Sequence, residues 1–293
     1  MDRELWLALY QLVSHSQVRG KGWLYKTAQI VMVYFWAVVH DRPMSWAVDK
    51  RNWPEDLCPR RLPSQSHFSR RLRGQDVVDL MTEIEQTLVA MVGAEERWIR
   101  IIDGKPCEVS NVSKDPDAGY GRSAGGMHKG YKLHVVHSGG PAPLAWGLAP
   151  MNTSEKVMAA ALIPTLPGEG YLLADTEFDT NPLHDLAHES GHQIVAPKRG
   201  RSTGLGHRRH SPYRLRSIEL LNSRFGKTLY RQRKQIEREF GNLVSFGGGL
   251  TCLPAWVRRY HRVRNWVHAK ILINAARWFR TKNYKLSELL ALA

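Results

Sequence analysis

At Glu96 the chain changes character. Upstream, apolar residues recur at helical spacing; downstream they fall into short runs of period two bounded by turn residues. Trp98 to Ile102 reads as a strand ending at Asp103-Gly104, Tyr131 to Val136 as a second and Leu144 to Leu148 as a third. The turn Ser138-Gly139-Gly140-Pro141 makes the last two a hairpin. Ser154 to Leu166 is expected as a helix, and Tyr171 to Ala174 as a fourth strand ending at Asp175. Pro182 to Glu189 follows as a helix with Asn181 at its N-cap, then Gln193 to Ala196 as a fifth strand. Beyond a basic loop, 198–212, two long helices are expected, roughly Ile218 to Val244 and Trp256 to Arg280. An antiparallel hairpin feeding βαβ crossovers predicts an α/β fold, a mixed five-stranded sheet flanked by helices.

Residues 1–93 read as an all-helical N-terminal region. Trp6 to Val13, Tyr25 to Val39, Ser64 to Leu72 and Val77 to Met91 are its helices, and Pro54, Pro59 and Pro63 break it into pieces. The apolar run Ile30 to Val39 is too short to span a bilayer and reads as a buried helix. Ser64 to Arg71 carries a capping serine and two bases, Arg70 and Arg71. It reads either as a helix of a DNA-reading helix-turn-helix or as a solvated connecting helix. Two domains are expected, 1–93 and 96–293.

Charge points to a partner. The net charge is +15, and residues 198–293 hold 22 Lys and Arg against 4 Asp and Glu, whereas the first 197 residues hold 20 against 23. All the excess positive charge therefore sits in the last third, with Lys198 and Arg199 opening it. Such asymmetry suits a polyanion, most commonly nucleic acid, although a merely well-solvated basic surface has the same composition. Cys58, Cys107 and Cys252 share no motif spacing, which indicates neither a disulfide framework nor a cysteine zinc site. Met1-Asp2-Arg3-Glu4 alternates acid and base with no apolar segment behind it, so a cytoplasmic protein is expected.

Phosphoryl transfer on DNA asks little covalent chemistry of a protein. It needs two divalent cations, and hard cations take oxygen ligands, so three acids on rigid elements suffice. Asp103 and Asp175 both follow buried strands, which in a sheet of this order are neighbours. Taken singly, each is more simply an aspartate that starts a turn. On a helix 218–244, Ile218, Leu221, Phe225, Leu229, Ile236, Phe240 and Leu243 form an apolar stripe. Arg224, Lys227, Arg231, Lys234 and Arg238 fall on the far side. Glu237 lies on one flank with Tyr230 and Arg233, and Glu239 on the other. By spacing alone Glu237 is equally an ordinary helix charge.

Tyr230-x2-Arg233-x3-Glu237 resembles the signature of bacterial insertion-sequence transposases with an Asp-Asp-Glu site, which runs Tyr, Arg, Glu, Lys. Ile102-Asp103-Gly104, Lys129-Gly130-Tyr131-Lys132-Leu133-His134 and Ala174-Asp175-Thr176-Glu177-Phe178-Asp179 fit the same pattern, and the resemblance covers roughly residues 96–280. It implies a ribonuclease-H-like fold and catalytic, metal-holding roles for Asp103, Asp175 and Glu237. It implies two Mg²⁺ ions, with Mn²⁺ able to substitute, and double-stranded DNA as the partner of a homodimer. Arg233 would bind phosphate and Tyr230 would contact DNA near the cleaved end. Lys129, Lys198, Arg199, Lys234, Arg238, Arg258, Arg259, Arg70 and Arg71 would be further DNA contacts. The implied reaction is cleavage at the element's end and attack of the freed 3′-hydroxyl on target DNA. The family's lysine falls at 244, where this chain has Val244. That departure keeps open a catalytically impaired DNA-binding protein, and the same fold keeps open a nuclease without strand transfer.

Other features carry less. Asp179 is expected to help cap the helix at Pro182. His184, His188 and His192 stand four apart, but no acid motif accompanies them as a zinc site would require. Gly119 to Gly126 is not a phosphate loop and reads as a mobile strand connection. Trp256, Trp266 and Trp278 read as helix-packing residues.

Overall fold

The structure is a computed structural model. It describes residues 3–18, 24–93, 96–200, 204–205, 209–244 and 249–282. The chain opens with helices α1 (Arg3–His15), α2 (Thr27–Val39), α3 (Met44–Ala47), α4 (Gln65–Arg71) and α5 (Gln75–Ala90). Strands β1 (Ile99–Glu108), β2 (Gly119–Ser123), β3 (Gly126–His137) and β4 (Ala145–Pro150) follow, then α6 (Glu155–Leu162), β5 (Gly170–Leu173), α7 (Asn181–Glu189) and β6 (His192–Val195). The last helices are α8 (Pro212–Asn222), α9 (Arg224–Arg231), α10 (Gln235–Val244) and α11 (Tyr260–Thr281). They form two units, Met1–Val92 with Asn242–Ala293, and Gly93–Gly241.

In the helical unit, α2 is buried almost all round, from Ile30 to Val38, as its composition requires. Trp36 stacks on Trp53 with ring centroids 4.3 Å apart, and Trp6 meets both edge-on. Ser64 caps α4 by accepting from the Nα–H of His67, as its position predicts. The last helix is expected in the second domain, 96–293. Instead α11 belongs to this unit, where Trp266 is core. It is polar on paper, yet several of the polar side chains it buries find partners inside this unit. Lys270 Nζ donates to the Val38 carbonyl and Asp41, His268 sits 2.7 Å from Glu85, and Asn265 donates to the Leu72 carbonyl.

The sheet unit has the ribonuclease-H-like arrangement, with strands in the order β2-β3-β1-β5-β6 and β4 also paired to β3. β1, β3 and β4 run antiparallel, while β5 and β6 run parallel to β1. Ile102, Val136, Leu172 and Ile194 from the sheet pack on Leu162 of α6 and Leu183 of α7. The sheet has six strands rather than five. The extra one, β2, is the glycine-rich segment expected as a mobile connection. Its glycines serve close approach: a Cβ at Gly121 would meet the Met151 carbonyl oxygen at 2.5 Å.

The region expected as one helix from Ile218 to Val244 is three. Ser223 is extended, with its hydroxyl accepting from the Gly226 N–H, and a short 3₁₀ turn, Gln232–Lys234, separates α9 from α10. A Cβ at Gly226 would lie 1.9 Å from the Leu220 carbonyl oxygen, so only glycine permits this corner. The computed stripe consequently holds only in part: Leu229, Ile236 and Leu243 are buried, but Phe225 is exposed and meets Tyr171 edge-on.

Candidate active site

Strand register assembles the site. Parallel pairing of β1 with β5 ends at Ile101 opposite Leu173, but β1 continues to Glu108. Two residues further on each chain come Asp103 and Asp175, so the register carries them side by side. Asp103 thus lies within a long strand, paired across to Val135 of β3, and not at a strand end as the sequence suggested. Asp175 stands just past β5 and caps the turn Thr176–Phe178 by accepting from the Glu177 N–H at 2.8 Å. Adjacent parallel strands lie about 4.8 Å apart. Two carboxylates at that spacing repel unless a cation intervenes.

Electrostatics register that crowding. Burial raises the Asp103 carboxyl above its ordinary range; Arg233 and the Gly104 N–H oppose this, and Asp175 and Glu155 add to it. Burial likewise raises Asp175, with Glu155 and Glu177 pushing the same way against the Glu177 N–H and Arg233. The counter-charge is in place: Arg233 Nη2 donates to Asp103 Oδ2 at 2.8 Å. Arg233 sits in the 3₁₀ turn, and its Nε is buried without a partner among the described residues. Tyr230, one turn earlier, donates to the Ala174 carbonyl at 3.1 Å, tying α9 to the end of β5. Sequence reasoning gave Tyr230 to DNA; its hydroxyl holds the scaffold of the site.

Glu237 lies one turn beyond Arg233 and is exposed. It is not gathered with the two aspartates. Among the described residues no three of His, Cys, Asp and Glu surround one ion position. Glu239, on the other flank as expected, faces the sheet 4.0 Å from His137. The acid whose charge reaches both aspartates is Glu155, at the start of α6. The sequence alone did not single it out. The signal that could have found it is its place at the start of the helix that follows the β3–β4 hairpin.

The two aspartates suit a hard divalent cation. The donors are all oxygen, they are held by rigid backbone, and their mutual repulsion is relieved only in part by one guanidinium.

The other candidate residues divide into two kinds. Lys234, Arg238, Arg259 and Arg70 are exposed, and Arg199 is exposed 3.7 Å from Glu177. Arg71, Arg258 and Lys129 hold the fold. Arg71 donates to the Tyr25 carbonyl, Thr27 and Asp76; Arg258 donates to the Pro254 and Val257 carbonyls; Lys129 donates to the Ser113 carbonyl. Lys198 opens the loop after β6 as the charge count placed it. Asp179 does not cap α7, whose N-cap is Thr180 rather than the expected Asn181. It takes a two-pronged bond from Arg214, at 2.7 Å each, and accepts from the Arg199 N–H. Burial opposes its charge, but Arg214, His184 and the Arg199 N–H outweigh burial and hold its carboxyl far below the usual range. His184 meets Asp179, His188 stacks on Tyr213, and His192 lies 3.2 Å from Arg100, so each histidine has a structural partner.

Residues 94–273 match the family described as transposase DDE domain. No curated protein matches the chain.

Proposed function

The chain belongs to the transposase DDE-domain family, and from that premise we propose that it cleaves DNA at the ends of an insertion sequence and joins the freed 3′-hydroxyl to target DNA. The observation that carries this reading is the register that sets Asp103 beside Asp175, with Arg233 against them. Asp103, Asp175 and Glu237 are the three acids; Glu237 is assigned by its spacing from Tyr230 and Arg233. Asp103 and Asp175 would hold divalent cations, Mg²⁺ or Mn²⁺, which would supply charge neutralisation during phosphoryl transfer, and Glu237, which stands apart from the pair, would join them only through a shift of α10.

The chain's own groups do the rest. The scissile phosphate enters where the carboxylates are most crowded, and Arg233 exchanges part of its bond to Asp103 for a phosphate oxygen. Its idle, buried Nε favours that exchange, because a fork-shaped guanidinium engages phosphate through two N–H groups. In the first step a water oxygen attacks phosphorus and the 3′-oxygen leaves with a proton. In the second that 3′-hydroxyl attacks a target phosphodiester, forming one P–O bond and releasing a target 3′-hydroxyl. Exposed Lys234, Arg238, Arg259 and Arg70 grip the backbone, and the N-terminal helices read the terminal sequence. Two ends must be paired, so the working form is a homodimer on DNA.

Purified protein incubated with Mg²⁺ and DNA carrying the element's ends tests this. Wild type cuts and joins, and Asp103→Ala and Asp175→Ala do neither. Full cutting by either variant sinks the site assignment. Cutting without joining makes the protein a nuclease, and tight binding without cutting makes it a DNA-binding derivative.

A further inference from the structure

Glu155 is placed as no simple helix acid needs to be. It opens α6 after the capping Ser154, where a negative charge suits the helix dipole. Its Oε1 receives Lys132 Nζ at 2.7 Å, both side chains being mostly buried. Its Oε2 is buried and has no partner among the described residues. Leaving a carboxylate oxygen dry and unpaired is costly, so helix capping alone does not account for it.

The surroundings share that character. Lys132 and His134 project from the same face of β3, two residues apart. His134 is 1% exposed, and its Nε2 is buried without a partner among the described residues. Gly104, the residue after Asp103, makes room for both. A Cβ there would lie 3.0 Å from Lys132 Cδ and 3.4 Å from His134 Nδ1. Through Lys132, Glu155 is thus tied to the backbone directly beside Asp103, and α6, which it opens, packs on the turn Thr176–Phe178 that Asp175 caps. The fold therefore spends stability to keep a third negative charge beside two that already repel.

We propose that Glu155 is a positioning residue of the active site, which together with its partner Lys132 sets the affinity of the Asp103–Asp175 pair for divalent cations. It acts from outside the ligand set, and the inference rests on the reading that the pair binds such ions. A carboxylate in that position strengthens cation binding through the low-dielectric interior and orients water around the ion. Outer partners of this kind typically contribute 10–100-fold in affinity.

The test is Mn²⁺ binding to the full chain without DNA, followed by the electron paramagnetic resonance signal of free Mn²⁺, with folding checked by circular dichroism. Glu155→Gln weakens binding about 10-fold. Glu155→Asp, which keeps the charge, stays close to wild type, a rescue that a purely structural role would not give. Lys132→Met, which keeps the packing over Gly104 and removes the opposing cation, tightens binding. Wild-type affinity in Glu155→Gln, alongside loss of binding in Asp175→Asn, overturns the inference and leaves the site intact. Equal losses in the Gln and Asp variants also overturn it. A wild-type chain that takes up no Mn²⁺ removes both the inference and the reading beneath it.

Discussion

Neutralising one of the paired aspartates should stabilise the metal-free protein. Both have carboxyls raised above their ordinary range, with burial as the largest cause. A carboxyl raised in the folded state favours folding fully below its unfolded value, about 3.9. That advantage is lost as pH rises through the folded value. At neutral pH both groups therefore work against the fold. Asp175→Asn removes one charge while its amide oxygen still accepts from the Glu177 N–H. Two unit charges about 5 Å apart at an effective dielectric near 20 repel by about 3 kcal/mol. Asp175 is partly exposed and Arg233 offsets some of this, so a gain of about 1–2 kcal/mol is expected. In a unit of this size that raises the melting temperature by about 2–8 °C. Scanning calorimetry in EDTA near pH 7.5 reads the gain, which shrinks as pH falls through the raised carboxyl values toward the unfolded carboxylate range. Excess Mg²⁺ reverses the ranking, because it stabilises wild type by mass action and finds a weakened site in the variant. An Asp175→Asn protein that melts below wild type in EDTA, or gains as much from Mg²⁺, refutes the reasoning.

Asp179→Asn leaves Arg214 buried against an uncharged partner and should cost about 3–5 kcal/mol in urea unfolding. Because the Asp179 carboxyl is depressed in the fold, that contribution is present above its unfolded value and disappears in strong acid, where variant and wild type converge. Gly226→Ala forces a methyl group into the Leu220 carbonyl and should destabilise by about 1–3 kcal/mol, with loss of DNA cleavage as the Tyr230–Arg233 segment shifts; unchanged cleavage would show that the corner does not position the site. Arg238→Ala should lower the salt slope of DNA binding by about one charge and leave the melting temperature alone, whereas Arg71→Ala should do the reverse. A binding isotherm series from low to moderate salt separates the two.

Much of the sheet is readable from local pattern. Ile101 to Gly104 and Leu172 to Asp175 announce buried strands followed by acids, and the parallel register turns that pattern into proximity. β2 was not readable, because glycine depresses strand propensity and the reason for the glycines, contact with the Met151 backbone, is a tertiary fact. The break at Ser223 hid for a related reason: a helical stripe computed across it continues in register on paper, and only the Gly226–Leu220 approach reveals the corner. The unit that α11 joins was not readable, because the partners of His268, Lys270 and Asn265 inside the helical unit are tertiary facts. The approach of Asp103, Asp175 and Arg233 to one another was legible from motif and strand order. Glu155 was not, because its bond to Lys132 of β3 and its unpartnered buried oxygen are tertiary facts.

Anomalous diffraction from crystals grown with Mn²⁺ addresses the pairing of the two aspartates without relying on activity. The account predicts a peak within metal–oxygen bonding distance of both Asp103 and Asp175. Density bound elsewhere, or a full-occupancy ion that touches neither carboxylate, would contradict it.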